Sequence, residues 1–405
     1  MTSRIKIFVA STSTCLVFVL LFGAMRGKSA SPEDTYRHLA VYTEVLSRIK
    51  SDYVEEPDMK SVTMGALNGM LEAIDPFASY LNAEQYKDYV KNKDLKRADV
   101  GLILSKKFGY VGIVGTVPGS PAAKAGLSTN DMIETIKGIA TRDMPLAYAG
   151  LLLQGEPDST VELSVVRVRR PEPQTVKLTR ATLTLPPVEA KMLAGQAGYI
   201  NIDALSPAAV KETAGAVEKL QKEGAQKLVL DLRSCAVGSP DDGIALANLF
   251  LSKGLITYEQ GQRVTRQNFD ADPSKAVTSL PLAVLTNRGT ASGAEIAAAA
   301  LMGNKRAQVV GERTYGDASV RRTLTMDDGG AIILSVAKYY SPDGKAIQDT
   351  GVVPEVVVNE PEPQVDVDEN GEPIPGPPEA APPQPKKAED DPVVKKALEV
   401  LGAKA

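Results

Sequence analysis

Leu282-Ala-Val-Leu-Thr-Asn-Arg-Gly-Thr-Ala-Ser292-Gly-Ala-Glu-Ile-Ala-Ala-Ala-Ala-Leu-Met302 reads as a strand, a glycine turn and an alanine-rich helix. Residues 282–286 form the strand and 291–302 the helix, so Ser292 stands just behind a strand at a helix start. Backbone N–H groups at a helix N-terminus favour developing negative charge, so the placement suits a nucleophile; it also suits an ordinary helix cap. The same alternation extends towards the N-terminus. Residues 198–202 read as a strand, 207–223 as a helix, 227–232 as a strand and 241–250 as a helix. Strands alternating with helices from 183 to 358 argue for an α/β core.

The pattern changes further out. Residues 98–182 carry short strands and glycine turns, with strands expected at 111–117, 130–136 and 160–168. Residues 31–97 are helical: Leu39, Tyr42, Leu46, Ile49 and Tyr53 fall at helical spacing. A second helix follows Pro57 and ends at Asp75-Pro76, and a polar third runs over 82–93. Nine of the 27 prolines lie in 359–390 among many acidic residues, a composition expected to be an extended, disordered linker. Val394, Ala397, Leu398 and Leu401 then mark a short amphipathic helix within 391–405, free either to pack on the core or to mediate assembly.

Residues 1–30 hold an uncharged run of 19 residues, 7–25, flanked by Arg4 and Lys6 before and Arg26 and Lys28 after. That run is long enough to cross a bilayer. An uncleaved anchor is the favoured reading. A cleaved leader would need a cut after Ala30, which puts Lys28 where a small residue is wanted. With a large folded remainder, the bulk is expected in the periplasm or otherwise outside the cytoplasmic membrane.

Composition removes several functions. Net charge is −4, aromatics are 5% and Trp is absent, which speaks against nucleic acid. His38 is the single histidine, and Cys15 and Cys235 are the two cysteines, which excludes zinc spacing and a disulfide framework.

The stretch from Gly101 to Gly138, with Gly119-Ser-Pro-Ala-Ala-Lys-Ala-Gly126 and Asn130-Asp-Met-Ile133, resembles a PDZ domain of the bacterial protease-linked kind. Such domains bind a C-terminal carboxylate on loop amides and add the peptide as a strand. The resemblance puts that loop at Val100, Gly101, Leu102 and Ile103; Asp99 stands where the family has a glycine, which sets a repelling anion beside the carboxylate. Further along, Asp75-Pro-Phe-Ala-Ser-Tyr-Leu81, Leu230-Asp-Leu-Arg233, Tyr339-Tyr-Ser-Pro-Asp-Gly344 and Gly351-Val-Val-Pro354 resemble the C-terminal processing, or tail-specific, serine peptidases. The resemblance implies a multidomain α/β and α+β chain: helical cap, PDZ-like β-rich domain and a ClpP/crotonase-like α/β core.

That family uses a serine–lysine dyad, in which a neutral amine takes the serine proton and backbone N–H groups hold the oxyanion. No cofactor or metal is implied. By resemblance the nucleophile is Ser292, with Gly293 beside it and Gly238 in the oxyanion region. The base lies 25 positions after the serine, where this chain has Asp317, and the supporting glutamine position holds Arg321. The Asn-Pro-Gly-Gly stretch of the family reads Cys235-Ala-Val-Gly238, and Val237 replaces a glycine valued for its backbone freedom. An exposed aspartate with a pKa near 4 is a poor base, and pairing with Arg321 weakens it further. Lys305 and Lys338 lie off the base position and read as surface charges; Cys235 lacks a histidine partner. The expected protein is therefore an envelope-side binder of polypeptide C-terminal tails with little or no proteolytic activity. The alternative is an active serine endopeptidase with a non-standard base. Homo-oligomerisation is left open.

Overall fold

The computed structural model describes residues 32–93, 97–142, 144–167, 170–359 and 390–402. The expected anchor, 7–25, and nearly all of the expected linker lie outside the described residues. Among those described, no helix is long and apolar enough to cross a membrane. The chain divides into two compact units, residues 1–63 and 64–405. The first holds helix α1 (Pro32–Asp52). Its apolar stripe is only half-buried at Tyr42, Leu46 and Ile49, and Leu39 is 58% exposed.

Helix α2 (Met59–Glu72) leads into the second unit, where strand β1 (Ser79–Leu81) pairs antiparallel with β16 (Ala331–Tyr340). Asp75 fixes the turn between them. Its carboxylate accepts from Phe77 N at 2.9 Å and from Ser335 N at 3.0 Å. Helix α3 (Ala83–Asn92) starts on a capping box in which Asn82 and Gln85 each accept the other's backbone N–H.

The central β-rich module is a sheet in the order β2-β3-β4-β6-β7, with the two-residue β5 (Ile139–Ala140) beside β4. Its strands are β2 (Leu102–Lys107), β3 (Tyr110–Thr116), β4 (Met132–Ile136), β6 (Thr160–Arg167) and β7 (Arg170–Thr179). Two helices flank it, α4 (Pro121–Lys124) and α5 (Leu146–Leu153). Ile113, Ile133, Ile136, Leu163 and Val165 fill its core. The buried Arg180 closes the end of α5, donating from Nε to Leu153 O at 2.7 Å and from Nη2 to Leu152 O at 2.9 Å.

The large core is built on a six-stranded sheet, β17-β14-β13-β10-β9-β8. The strands are β8 (Glu189–Leu193), β9 (Ala197–Asn201), β10 (Lys227–Asp231), β13 (Leu282–Thr286), β14 (Ala307–Gly311) and β17 (Val356–Val357). All neighbours are parallel except β8 and β9. Parallel neighbours require crossovers; α6 (Pro207–Lys222), α7 (Pro240–Asn248) and α8 (Gly293–Gly303) lie in the three from β9 to β14, while residues 312–355, which hold no helix, link β14 to β17. Side chains alternate across such a sheet. Leu228, Leu230, Leu282 and Val284 meet the crossover helices, while Val229, Ala283, Leu285 and Val310 meet α9 (Pro392–Gly402) on the opposite face. The C-terminal helix thus packs on the core, burying Val393, Val394, Ala397 and Leu401.

A second sheet joins β1 and β16 to β11 (Leu255–Gln260), β12 (Gln267–Asp270) and β15 (Ser319–Thr325). These later strands escape a strand-by-strand reading of the sequence because β12 and β15 face solvent along most of their length. Helices α7 and α8 approach closely: a Cβ on Gly243 would lie 2.0 Å from the Gly293 carbonyl oxygen.

Candidate active site

Ser292 sits between β13 and α8, as the sequence places it. The turn before it is stitched to the loop after β10. Asn287 Oδ1 accepts from Ser234 N at 2.8 Å and Gly289 N at 3.0 Å, and Thr290 Oγ1 donates to Leu232 O at 2.8 Å. Ala291 N donates to Cys235 O at 3.0 Å. Held from both sides, Ser292 takes φ 56° and ψ −126°, a left-handed backbone costly for a residue with a side chain. Its hydroxyl donates to Gly238 O at 2.8 Å. Gly238 has φ 142°, and a Cβ there would lie 2.6 Å from Leu205 Cβ, so this position needs glycine. Val237 does not carry the expected strain. The positive φ falls on Ser234, at 57°, and on Gly238, while the Val237 carbonyl accepts from Leu205 N at 2.9 Å.

Glu295 organises the floor of the site. It is fully buried one turn into α8, and its carboxylate accepts from Ser292 N at 3.1 Å, Gly316 N at 2.7 Å and Asp317 N at 2.7 Å. The Thr314 hydroxyl donates to it as well. Burial pushes the Glu295 carboxyl up to about 8, with the donors opposing the rise and the Asp317 charge adding to it. Sequence reasoning gives Glu295 no role, although a signal for it exists. An acidic residue three positions after a serine at a helix start has capping-box spacing.

Asp317 corrects an expectation. It is buried, 8% exposed, rather than solvated. Burial raises its carboxyl above the usual range, Arg321 pulls it down, and Asp75 and Asp349 push it up again. The pairing with Arg321 is present: Arg321 Nη2 donates to Asp317 Oδ1. The guanidinium also lies over the Phe77 ring, 4.1 Å from its centroid. The Ser292 hydroxyl and the Asp317 carboxylate are thus hydrogen-bonded to other groups, Gly238 O and Arg321. Lys338 is tied to Asp349 at 2.7 Å with each side chain 43% exposed, and Lys305 is exposed. Cys235 is fully buried and its thiol is pushed up to about 12, which leaves it protonated and inert.

The loop residues Val100, Gly101, Leu102 and Ile103 open β2, the edge strand of the central sheet. They are near the serine turn. Ile103 and Leu146 pack against a small cluster of Phe77, Val114, Ala236 and Ala291, and Ala291 precedes Ser292. The hydroxyls of Ser105, on β2, and Tyr315 share a hydrogen bond of 2.5 Å, and a Cβ on Gly115 would lie 2.8 Å from Ala236 Cβ. The expected tail loop and the expected nucleophile therefore share one packed interface. Neither Tyr315 nor Ser105 stands out in the sequence. Their pairing joins residues 210 positions apart, beyond the reach of local pattern.

Comparison with known proteins fits this architecture. Residues 196–358 match peptidase family S41, and residues 112–167 match a PDZ domain. The chain is 35% identical over 321 residues to a carboxyl-terminal-processing protease of Synechocystis, covering 77% of this chain and 75% of that protein. It is 32% identical over 334 residues to the carboxy-terminal processing protease CtpA of Bacillus subtilis, covering 81% and 70%. Among solved structures, the photosystem II D1 C-terminal processing protease aligns with a TM-score of 0.65 at 27% identity, covering 79% of this chain and 92% of that one. The chain belongs to peptidase family S41, the carboxyl-terminal-processing serine peptidases that carry a PDZ domain.

Proposed function

We propose that this protein binds polypeptide C-terminal tails through its PDZ domain and presents them to a serine peptidase scaffold that has lost its base. The observation that carries the reading is the paired engagement of the two groups that would have to react. The Ser292 hydroxyl donates to Gly238 O, and the buried Asp317 carboxylate is held by Arg321. By the family's motif the base is a lysine, 25 positions after the serine; here that position carries a carboxylate paired to a fixed cation. A positioned general base contributes about 10²–10⁴ in rate, and its loss leaves little of the chemistry. The scaffold around it is intact, with Glu295, Asn287 and Gly238 holding the serine turn in its left-handed bend. Residues 7–25 are proposed as the membrane anchor, with the folded bulk on the outer side of the cytoplasmic membrane.

One observation favours a second reading, a working endopeptidase. Burial raises the Asp317 carboxyl, which brings it closer to what a base needs near neutral pH. The experiment that separates them incubates the full chain, in detergent, with an unstructured protein ending in an apolar tail from pH 4 to 9. Tail binding without cleavage, and gain of cleavage in an Asp317→Lys/Arg321→Gln variant, supports the first reading. Cleavage by the unmodified protein that disappears in Asp317→Asn supports the second.

A further inference from the structure

The tail loop of the PDZ domain contains its own anion. Asp99 is fixed by two backbone hydrogen bonds with Ala181, one in each direction at 3.0 Å. From that position its Oδ1 accepts the backbone N–H of Gly101 at 2.8 Å. The loop that presents Gly101 is held on its other side. Val100 O accepts from Ala122 N at 2.9 Å, and Gly101 O accepts from Val117 N at 2.8 Å. Gly101 itself has φ 81°, and a Cβ on it would lie 2.3 Å from Ser120 Cβ. The carbonyls thus point into the domain and are satisfied there, while the Gly101 amide is taken by the aspartate.

The position of that amide gives the contact its meaning. Among the described strands β2 pairs only with β3, so its other edge is open to an added strand. The open edge is short. Lys106 N already donates to Pro76 O at 2.7 Å, which closes the far end and leaves about the first four residues, Leu102 to Ser105. A strand added antiparallel to β2 runs towards the start of β2, and its C-terminal carboxylate arrives at the 100–102 amides. One of those amides already holds a carboxylate oxygen.

Resting on the tail-binding reading above, the geometry points to Asp99 as a built-in occupant of the carboxylate-binding loop, which removes most of the advantage of a free terminal carboxylate and leaves tail selectivity to the strand edge. Two effects act together: the Gly101 N–H is used, and a second anion would have to sit beside the first without a shared proton. A tail whose terminal carboxylate is neutralised loses little by comparison. The domain therefore discriminates weakly between a free-acid tail and the same tail as a carboxamide, whereas a loop with free amides favours the free acid.

The test uses the full chain in detergent and a fluorescein-labelled ten-residue peptide ending in Leu-Ala-Ala, made as free acid and as carboxamide. Binding is read by fluorescence anisotropy for the unmodified protein, Asp99→Gly and Asp99→Asn. The expected result is a free-acid to carboxamide affinity ratio within about threefold for the unmodified protein. Asp99→Gly raises free-acid affinity at least tenfold with the carboxamide unchanged, and Asp99→Asn falls between. Asn keeps the side-chain size and the acceptor oxygen, so the trend does not depend on the glycine variant folding well. A strong free-acid preference in the unmodified protein, or the same ratio in all three, overturns the role of Asp99 while leaving tail binding standing. Failure of every variant to bind either peptide overturns the tail-binding reading and this inference together.

Discussion

Asp231 and Asp317 each accept an arginine that lies within four residues in the chain, yet the two pairs are built differently. At Asp231 the acceptor side chain is 2% exposed and Arg233 grips it with two nitrogens, Nε at 2.9 Å from one oxygen and Nη2 at 2.6 Å from the other. Arg233 Nη1 reaches Asp391 at 2.7 Å, and the Tyr199 hydroxyl donates to Asp231 at 2.8 Å. Against the cost of burial, both carboxylates hold Arg233 well above its ordinary pKa. Asp391 in turn accepts from Val393 N at 2.8 Å, so the network straps the start of α9 to the sheet. At Asp317 a single nitrogen donates, the arginine is 32% exposed, and its flat face rests on Phe77. The first pair is a structural rivet with its polar atoms committed. The second holds its carboxylate through one nitrogen and leaves its arginine partly in water.

That contrast can be broken by truncation. Arg233→Ala leaves Asp231 and Asp391 without their shared cation, and is expected to cost about 3–5 kcal/mol in urea denaturation. The C-terminal helix should at the same time become open to proteolysis. Next in size is pH dependence at the other pair. Glu295, up to about 8, and Asp317, also raised, bind more protons folded than unfolded. Their contribution is complete below the unfolded carboxyl range near 4 and is lost as pH rises towards about 8. Denaturation midpoints across that window should therefore show a loss that Glu295→Gln and Asp317→Asn each reduce. Arg321→Ala is expected to cost only about 1–2 kcal/mol, the worth of a partly exposed ion pair and a stacked ring. Asp317→Asn comes last, within about 1 kcal/mol of the unmodified protein, because Arg321 can turn to solvent. Equal losses for Arg233→Ala and Arg321→Ala would erase the distinction between a buried rivet and a partly exposed pair.

The same contrast explains what could be read from the sequence. The parallel core was legible because β10 and β13 are apolar on both faces and alternate with helices of ordinary length. Ser292 was legible from its strand-turn-helix setting, and Asp317 and Arg321 from a fixed spacing. The burial of Asp317 was not. Asp349 and the Asp75 turn, which lie near enough to shift its carboxyl, come from distant parts of the chain, as does the Phe77 ring beneath its arginine. The motif places residues 100–103 at the start of an edge strand, where the structure has them, whereas the Asp99 contact depends on a backbone pairing with Ala181 across more than eighty residues of chain. Glu295 hid in plain view, since a buried carboxylate with four donors looks in sequence like any acidic helix start.

The most direct measurement is the rate of peptide-bond cleavage by the purified full chain compared with its Ser292→Ala variant, on the same tail substrate near neutral pH. A scaffold without its base gives two equal rates, both at background. A rate that falls to background only when Ser292 is replaced would contradict that reading and leave Asp317 or another group as the working base.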